Sequence, residues 1–220
     1  MKKRYWFLII LGVVVIAAGL YLLNQQRVAK FFTMPTTANE PGLMLHGNYF
    51  ASSLVTPKKL DFVIFNFNHE MWGDGEWVFR LIAEAGDTIQ IKDAITFVNG
   101  VNIDAQLKLK HSFLLNNKEF QIMQSLGYDH DSYAISNTQY ITHLPDSLAM
   151  SHGFLSAMKD SSEVDDAIEK VYGHPWNSDQ FGPYIIPEDS FFVLGDNRHN
   201  AMDSRFIGVI RVSEIVGVIK

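Results

Sequence analysis

The chain has 220 residues, of which 47% are hydrophobic and 19% charged, enough to bury a core and too apolar for a disordered protein. Its formal net charge is −6, and no basic patch with interleaved aromatic residues is present, which argues against nucleic acid as a partner. It has no cysteine, so disulfides and thiolate metal sites are excluded.

Lys2-Lys3-Arg4 precedes nineteen uncharged residues, Tyr5 to Leu23. As a helix this segment would be about 28 Å long, close to the thickness of a hydrocarbon core. Tyr5, Trp6 and Tyr21 stand near its ends, where amphipathic rings favour the headgroup level. The competing reading is a cleaved signal peptide. The apolar run is long for one, and Asn24-Gln25-Gln26-Arg27 offers no small-x-small cleavage site, so an uncleaved anchor is preferred. Three cations before the span against Arg27 and Lys30 after it put the N-terminus in the cytosol and the rest outside, in a single-pass protein of the cell membrane.

Residues 24–34 read as a juxtamembrane connector, with Phe31-Phe32 either at the membrane interface or packed under the domain. Phe62 to Phe67, Trp77 to Ile82, Thr88 to Ile91, Ile95 to Val98 and Phe191 to Leu194 are short β-branched or aromatic runs bounded by turn residues. Asn99-Gly100 is a hairpin signal. The expected architecture is mainly β and antiparallel. Residues 105–180 are more polar and read as a partly helical insertion with few strand runs. Within it, Ser162 to Tyr172 is helix-like, with Ser162 as N-cap and Gly173 as stop.

Four features stand in order along the chain: Pro35-Thr36-Thr37-Ala38-Asn39-Glu40-Pro41, Asp61-Phe62-Val63-Ile64-Phe65, Phe79-Arg80-Leu81-Ile82 with Gly86-Asp87, and Gly195-Asp196-Asn197-Arg198 continuing to Asp203-Ser204-Arg205. Together they resemble the type I signal peptidases, membrane-anchored serine endopeptidases that remove leader peptides from exported proteins. The resemblance implies a signal-peptidase-type β-domain over 35–220 behind an anchor at 1–23, without a cofactor or metal. It also implies a Ser-Lys dyad, in which a buried, neutral lysine serves as general base. Here the nucleophile position is Ala38 and the base position Phe79. Ala201 stands where the family often has a serine that supports the lysine. A methyl group cannot attack a carbonyl, and a phenyl ring cannot accept a proton.

Other residues could substitute. Thr37, taken as part of an extended segment, would point away from the site, whereas Thr36 shares the face of Ala38. The family counterpart of Thr36 commonly donates to the oxyanion. A shifted alignment would make Thr33 the nucleophile. Arg80 stays protonated, and Lys58 and Lys59 lie in a polar turn. Asp203 and Arg205 are expected to form a charge-assisted pair, and Gly195 to supply a backbone conformation closed to other residues. The eight histidines are scattered. Asp129-His130-Asp131 reads as a solvated loop rather than a metal site, Asp74-Gly75 as a turn, and Trp72 and Trp77 as packing residues.

The expectation is a signal peptidase-like pseudoenzyme of the export pathway that binds membrane lipid and either leader peptides or an active signal peptidase. The alternatives are an active peptidase with a threonine nucleophile, and a structural membrane protein that binds no leader peptide.

Overall fold

The computed structural model describes residues 2–25, 29–69, 73–156 and 163–220. Helix α1 (Lys2–Gln25) is followed by β1 (Ala29–Thr33) and β2 (Asn48–Ser52). Then come β3 (Phe62–His69), β4 (Gly73–Glu84), β5 (Thr88–Lys92), β6 (Ile95–Val98) and β7 (Val101–Asn102). Next are β8 (Lys110–Asn116), α2 (Asn117–Ser125), β9 (Ser132–Ala134), β10 (Gln139–Pro145), α3 (Asp146–His152) and β11 (Leu155–Ser156). The last elements are α4 (Asp166–Tyr172), β12 (Phe181–Ile185), β13 (Ser190–Leu194), α5 (Ser204–Ile207), β14 (Ile210–Arg211) and β15 (Ile215–Ile219).

Among the described residues the strands form three sheets, in the orders β1-β2-β15-β3-β4-β13-β14, β12-β5-β6-β7 and β11-β8-β10-β9. The paired strands run antiparallel, as the short alternating runs imply. Asn99 and Gly100 both have positive φ, 52° and 79°, which the tight turn between β6 and β7 requires. In β4, Phe79 and Leu81 enter one apolar cluster with Val63, Phe65 and Val193, while Ile82 enters another with Ile89 and Phe192. Both faces of the strand are therefore covered, and the side chains of Phe79 and Arg80 leave it in opposite directions.

Residues 105–180 contain more strand than their polarity suggested. His111, Ser112 and His143 interrupt the apolar pattern of β8 and β10, yet Phe113, Leu115, Met123, Leu144 and Ala149 make a separate small core. Helix α2 starts with a capping box: the Asn116 side chain accepts from the Lys118 and Glu119 amides, and the Glu119 carboxylate accepts from the Asn116 amide. Helix α4 begins later than expected. Its N-cap is Asp165, whose side chain accepts from the Ala167 amide, and Ser162 lies outside the described residues. Gly173, at φ 69°, ends it as read from the sequence. Ile168 of α4 packs with the cluster around Ile89, so this helix belongs to the main body and not to the inserted sheet.

The connector also differs from expectation, since its second half is β1, paired with β2. Phe31 is 80% exposed beside Phe50, and Phe32 turns inward to the cluster of Met34 and Leu43. Among the described residues no helix is long and apolar enough to cross a membrane. Part of the span expected over Tyr5 to Leu23 has side chains that lie outside the described residues. Trp72 lies outside the described residues, and Trp77 is half-buried against Phe67.

Leu115 is fully buried in the inserted core. Leu115→Ala is expected to cost about 2–5 kcal/mol locally. Limited proteolysis should then cleave first within 105–160 while the main sheet stays intact.

Candidate functional site

The site is framed by three arginine–carboxylate forks that converge on the turn after β13. Arg205 donates Nε and Nη2 to the two oxygens of Asp203, at 2.9 and 2.8 Å, so the pair expected two residues apart is present and bidentate. The same carboxylate accepts from the Gly195 amide at 3.0 Å, and Arg205 also donates to the carbonyls of Ser178 and Arg198. Ser204 accepts the Val193 amide on its hydroxyl at 2.9 Å. Arg80 forks onto Asp196 at 2.7 and 2.5 Å, with its guanidinium 3.9 Å above the Phe62 ring. Arg198 forks onto Asp104 at 2.7 and 2.6 Å. Gly86, at φ 83°, and Asp87 close the turn after β4, where Asp87 accepts from the Glu84 amide at 2.9 Å.

Gly195 plays a part different from the one expected. Its φ is not in the left-handed region, so conformational freedom does not explain the residue. Space does. A Cβ there would overlap Ala201 Cβ and come 2.5 Å from the Ala38 carbonyl oxygen. The glycine lets the turn lie directly against the loop that carries Ala38, and the Asn197 amide then donates to that carbonyl at 3.1 Å.

That loop, 34–47, is bent and turned rather than extended. The Glu40 amide donates to Thr37 O at 3.0 Å and the Leu43 amide to Asn39 O at 2.8 Å. The argument from alternating strand faces therefore does not hold: Thr37 also lines the groove, and its hydroxyl is engaged there, accepting from Asn200 at 3.0 Å and reaching Asp131 at 3.4 Å. Asn39 is buried and donates its amide nitrogen to Val78 O at 2.7 Å, fastening the loop to β4 beside Phe79. Thr36 is exposed and lines the adjoining groove. Thr33 is on β1, donates to Asn48 Oδ1 at 2.7 Å, and does not line the groove.

Ala38, Phe79 and Ala201, far apart in sequence, meet in one apolar cluster. They form the floor of a groove of about 660 Å³ whose walls include Thr36, Trp77, Val78, Asn200, Met202 and Phe206. Phe79 is 5% exposed and packs against Trp77 and Phe65. The floor thus has no nucleophile and no base. Lys59 is no substitute base. Burial lowers its pKa, but Asp87, 2.7 Å away, and Glu84 outweigh this and raise it, so the amine stays protonated. Lys58 is exposed.

Sequence reading missed a buried network behind the floor. Lys110, 2% exposed, donates to Glu40 at 2.9 Å and to Asp131 at 3.1 Å. Asp131 also accepts from Asn197 and Asn200, both at 2.7 Å, so its carboxylate is internal rather than part of a solvated loop. Burial raises the Glu40 pKa, but Lys110, the Leu45 amide and His130 together hold it below its ordinary value. The polar start of β8, Lys110-His111-Ser112, was the available signal, but its partners lie tens of residues away.

Two outcomes are expected. Gly195→Ala should destabilise by about 1–3 kcal/mol through overpacking, read from the urea midpoint. Lys110→Met should leave the buried Glu40 carboxylate and the part-buried Asp131 without their shared cation and cost about 3–5 kcal/mol near neutral pH. Glu40, with its depressed pKa, stabilises the fold above its ordinary pKa of 4.5 and loses that contribution as pH falls through its folded value. Lys110→Met should therefore flatten the acid limb of a stability–pH curve.

The profile of the family described as "Signal peptidase, peptidase S26" matches residues 4–220. Signal peptidase I of Aquifex aeolicus (strain VF5) is 27% identical, over 96% of this chain and 78% of its own. Signal peptidase I V of Bacillus subtilis (strain 168) is 26% identical, over 100% and 98% respectively. A crystal structure of a signal peptidase I from Enterococcus faecalis V583 aligns with a TM-score of 0.38 at 21% identity, covering 76% of this chain and 98% of that one. With the match spanning nearly the whole sequence, the chain belongs to the S26 signal peptidase family.

Proposed function

We propose that this member of the family is catalytically silent and holds leader peptides of exported proteins, alone or beside an active signal peptidase, as a single-pass membrane protein with its β-domain outside the cytosol. The observation that carries this reading is the meeting of Ala38, Phe79 and Ala201 on one apolar floor. Loss of the nucleophile or base of a serine protease costs about 10⁶ in rate, leaving negligible peptide hydrolysis. Binding needs neither group. Strand β13 pairs with β4 only from Arg80 onward, so the preceding part of β4, beside the groove, has β3 as its one partner strand among the described residues. An extended peptide can add along such an edge, with small pockets for alternate side chains. The anchor is supported by α1, on which Trp6, Phe7, Ile9, Val13 and Ile16 are all more than half exposed. Apolar residues all round a helix suit lipid.

Thr36 supports the competing enzymatic reading because it lines the groove; Thr37 lines it too, with its hydroxyl engaged by Asn200. Incubating a preprotein with the full chain in detergent separates the two. No cleavage is expected. Cleavage at the normal site that disappears in Thr36→Ala would overturn the silent reading. Photo-crosslinking of a leader peptide should label groove residues such as Trp77 or Met202, and absence of labelling would instead favour a structural role without peptide binding.

The combined variant Ala38→Ser, Phe79→Lys, Ala201→Ser should gain detectable cleavage, since a lysine in the place of Phe79 would be largely desolvated and its pKa lowered. The same variant should unfold at lower urea concentration than the parent, because a ring packed among Phe65, Leu81 and Val193 is lost.

A further inference from the structure

Outside the groove floor, imidazoles collect at the seam between the inserted sheet and the turn after β13. His199 belongs to that turn and lines both the groove and a second, smaller cavity of about 190 Å³. Its Nε2 is 2.6 Å from Asp179 Oδ1, and its Nδ1 is 3.0 Å from the backbone nitrogen of Ser112 in β8. The Ser112 hydroxyl is 2.9 Å from Nδ1 of His143 in β10. His111, also in β8, pairs with Asp146 at 2.8 Å and lies edge-on to His199, with ring centroids 5.1 Å apart.

Hydrogen-bond roles at this seam are dictated by chemistry. A backbone N–H can only donate, so His199 Nδ1 must accept, and the ring is the neutral tautomer with its proton on Nε2, donated to Asp179. Adding a proton to Nδ1 sets N–H against N–H, and the bond to Ser112 is lost. Asp179 alone would welcome the imidazolium. Against it stand burial, the His111 ring and the Arg205 guanidinium, which together keep the pKa of His199 below its ordinary value. His143, similarly buried, also stays below its ordinary value; the Asp131 carboxylate opposes this, while Lys110 and His199 act in the same direction as burial. Arg198, which also lines the small cavity, is held by its fork to Asp104.

We propose that this seam is an acid-released latch: neutral His199 hooks the Ser112 amide and so holds the inserted sheet against the groove wall, and protonation of His199 frees it. Directly beside the latch the seam stays joined: the Lys110 amide donates to Asp196 O at 3.0 Å and the Arg198 amide to Lys110 O at 2.9 Å, bonds in which no titrating group takes part, and Asp131 accepts from Asn197 and Asn200. Both histidines have depressed pKa values, so their contribution to stability is complete above the ordinary value of 6.5 and is lost as pH falls below it, through the folded values. Release therefore belongs to mildly acidic conditions. His199 and Asn200 both line the groove, so its wall loses one of its ties when the latch opens. The latch does not depend on whether the groove binds leader peptides.

Hydrogen exchange of the full chain in detergent, corrected for intrinsic rates, tests it. Between pH 7.5 and 5.5, exchange of the Ser112 amide, which His199 covers, should rise by up to about tenfold, the most that one titrating imidazole gives over that range. Residues 62–67 should not respond. His199→Gln, whose side-chain amide can accept from Ser112 and donate to Asp179 without titrating, should keep protection at both pH values. An unchanged pH response in His199→Gln, or no response in the parent, would overturn the latch. Should that variant fold poorly, ¹⁵N-imidazole spectra of the parent decide: a bare Nδ1 at pH 7.5 is required, and a protonated one sinks the idea. Asp179→Asn should move the transition to lower pH, since it removes the anion that favours the imidazolium.

Discussion

Everything around the groove depends on the internal pairing of Arg205 with Asp203. A guanidinium and a carboxylate withdrawn from water are tolerable only when every donor and acceptor is met. Here the Arg205 side chain makes four hydrogen bonds, two to Asp203 and one to each of two backbone carbonyls, and Asp203 in turn takes the Gly195 amide. The turn after β13 is thereby tied to its own end, to the segment before β12 and to the start of α5. Arg80 and Arg198 then secure its middle to β4 and to the residues after β7. A loop that lies open beside a groove is thus as constrained as a core strand.

This frame is independent of the chemistry the family performs. The forks fix where three side chains come together, and those three, Ala38, Phe79 and Ala201, carry no polar atoms. Geometry and reactivity are encoded in separate residues, so one can persist without the other. The closeness of the loop and the turn also depends on a missing atom, the Cβ of Gly195, and not on any attraction. At Gly42 the same device admits the Arg80–Asp196 fork, since a Cβ there would meet the guanidinium and the Phe62 ring at 2.7 Å.

What could be read from the sequence follows the range over which each signal acts. Strands β3 to β6 and β13 announced themselves through β-branched runs and turn residues, all local features, and Asp203 with Arg205 was legible because two positions separate them. Arg80 with Asp196, 116 positions apart, and Lys110 with Glu40, 70 apart, were not, since one sequence says nothing about which distant charges meet. Strands β8 and β10 escaped notice for a related reason. Their polar side chains face the ionic seam instead of an apolar core, so the alternation that identifies a half-buried strand is broken where the strand matters most. The start of α4 was misplaced by the attraction of a serine, when Asp165, three residues on, supplies the cap.

Phe79 has one more consequence. Among aromatic neighbours it is a structural asset, whereas a serine at 38 or a lysine at 79 introduced alone would bring a polar group to the floor without a chemical counterpart. Either change made alone costs packing or desolvation before the other group is there to offset it. The apolar arrangement is therefore self-locking: packing alone suffices to keep it, whatever the groove is used for.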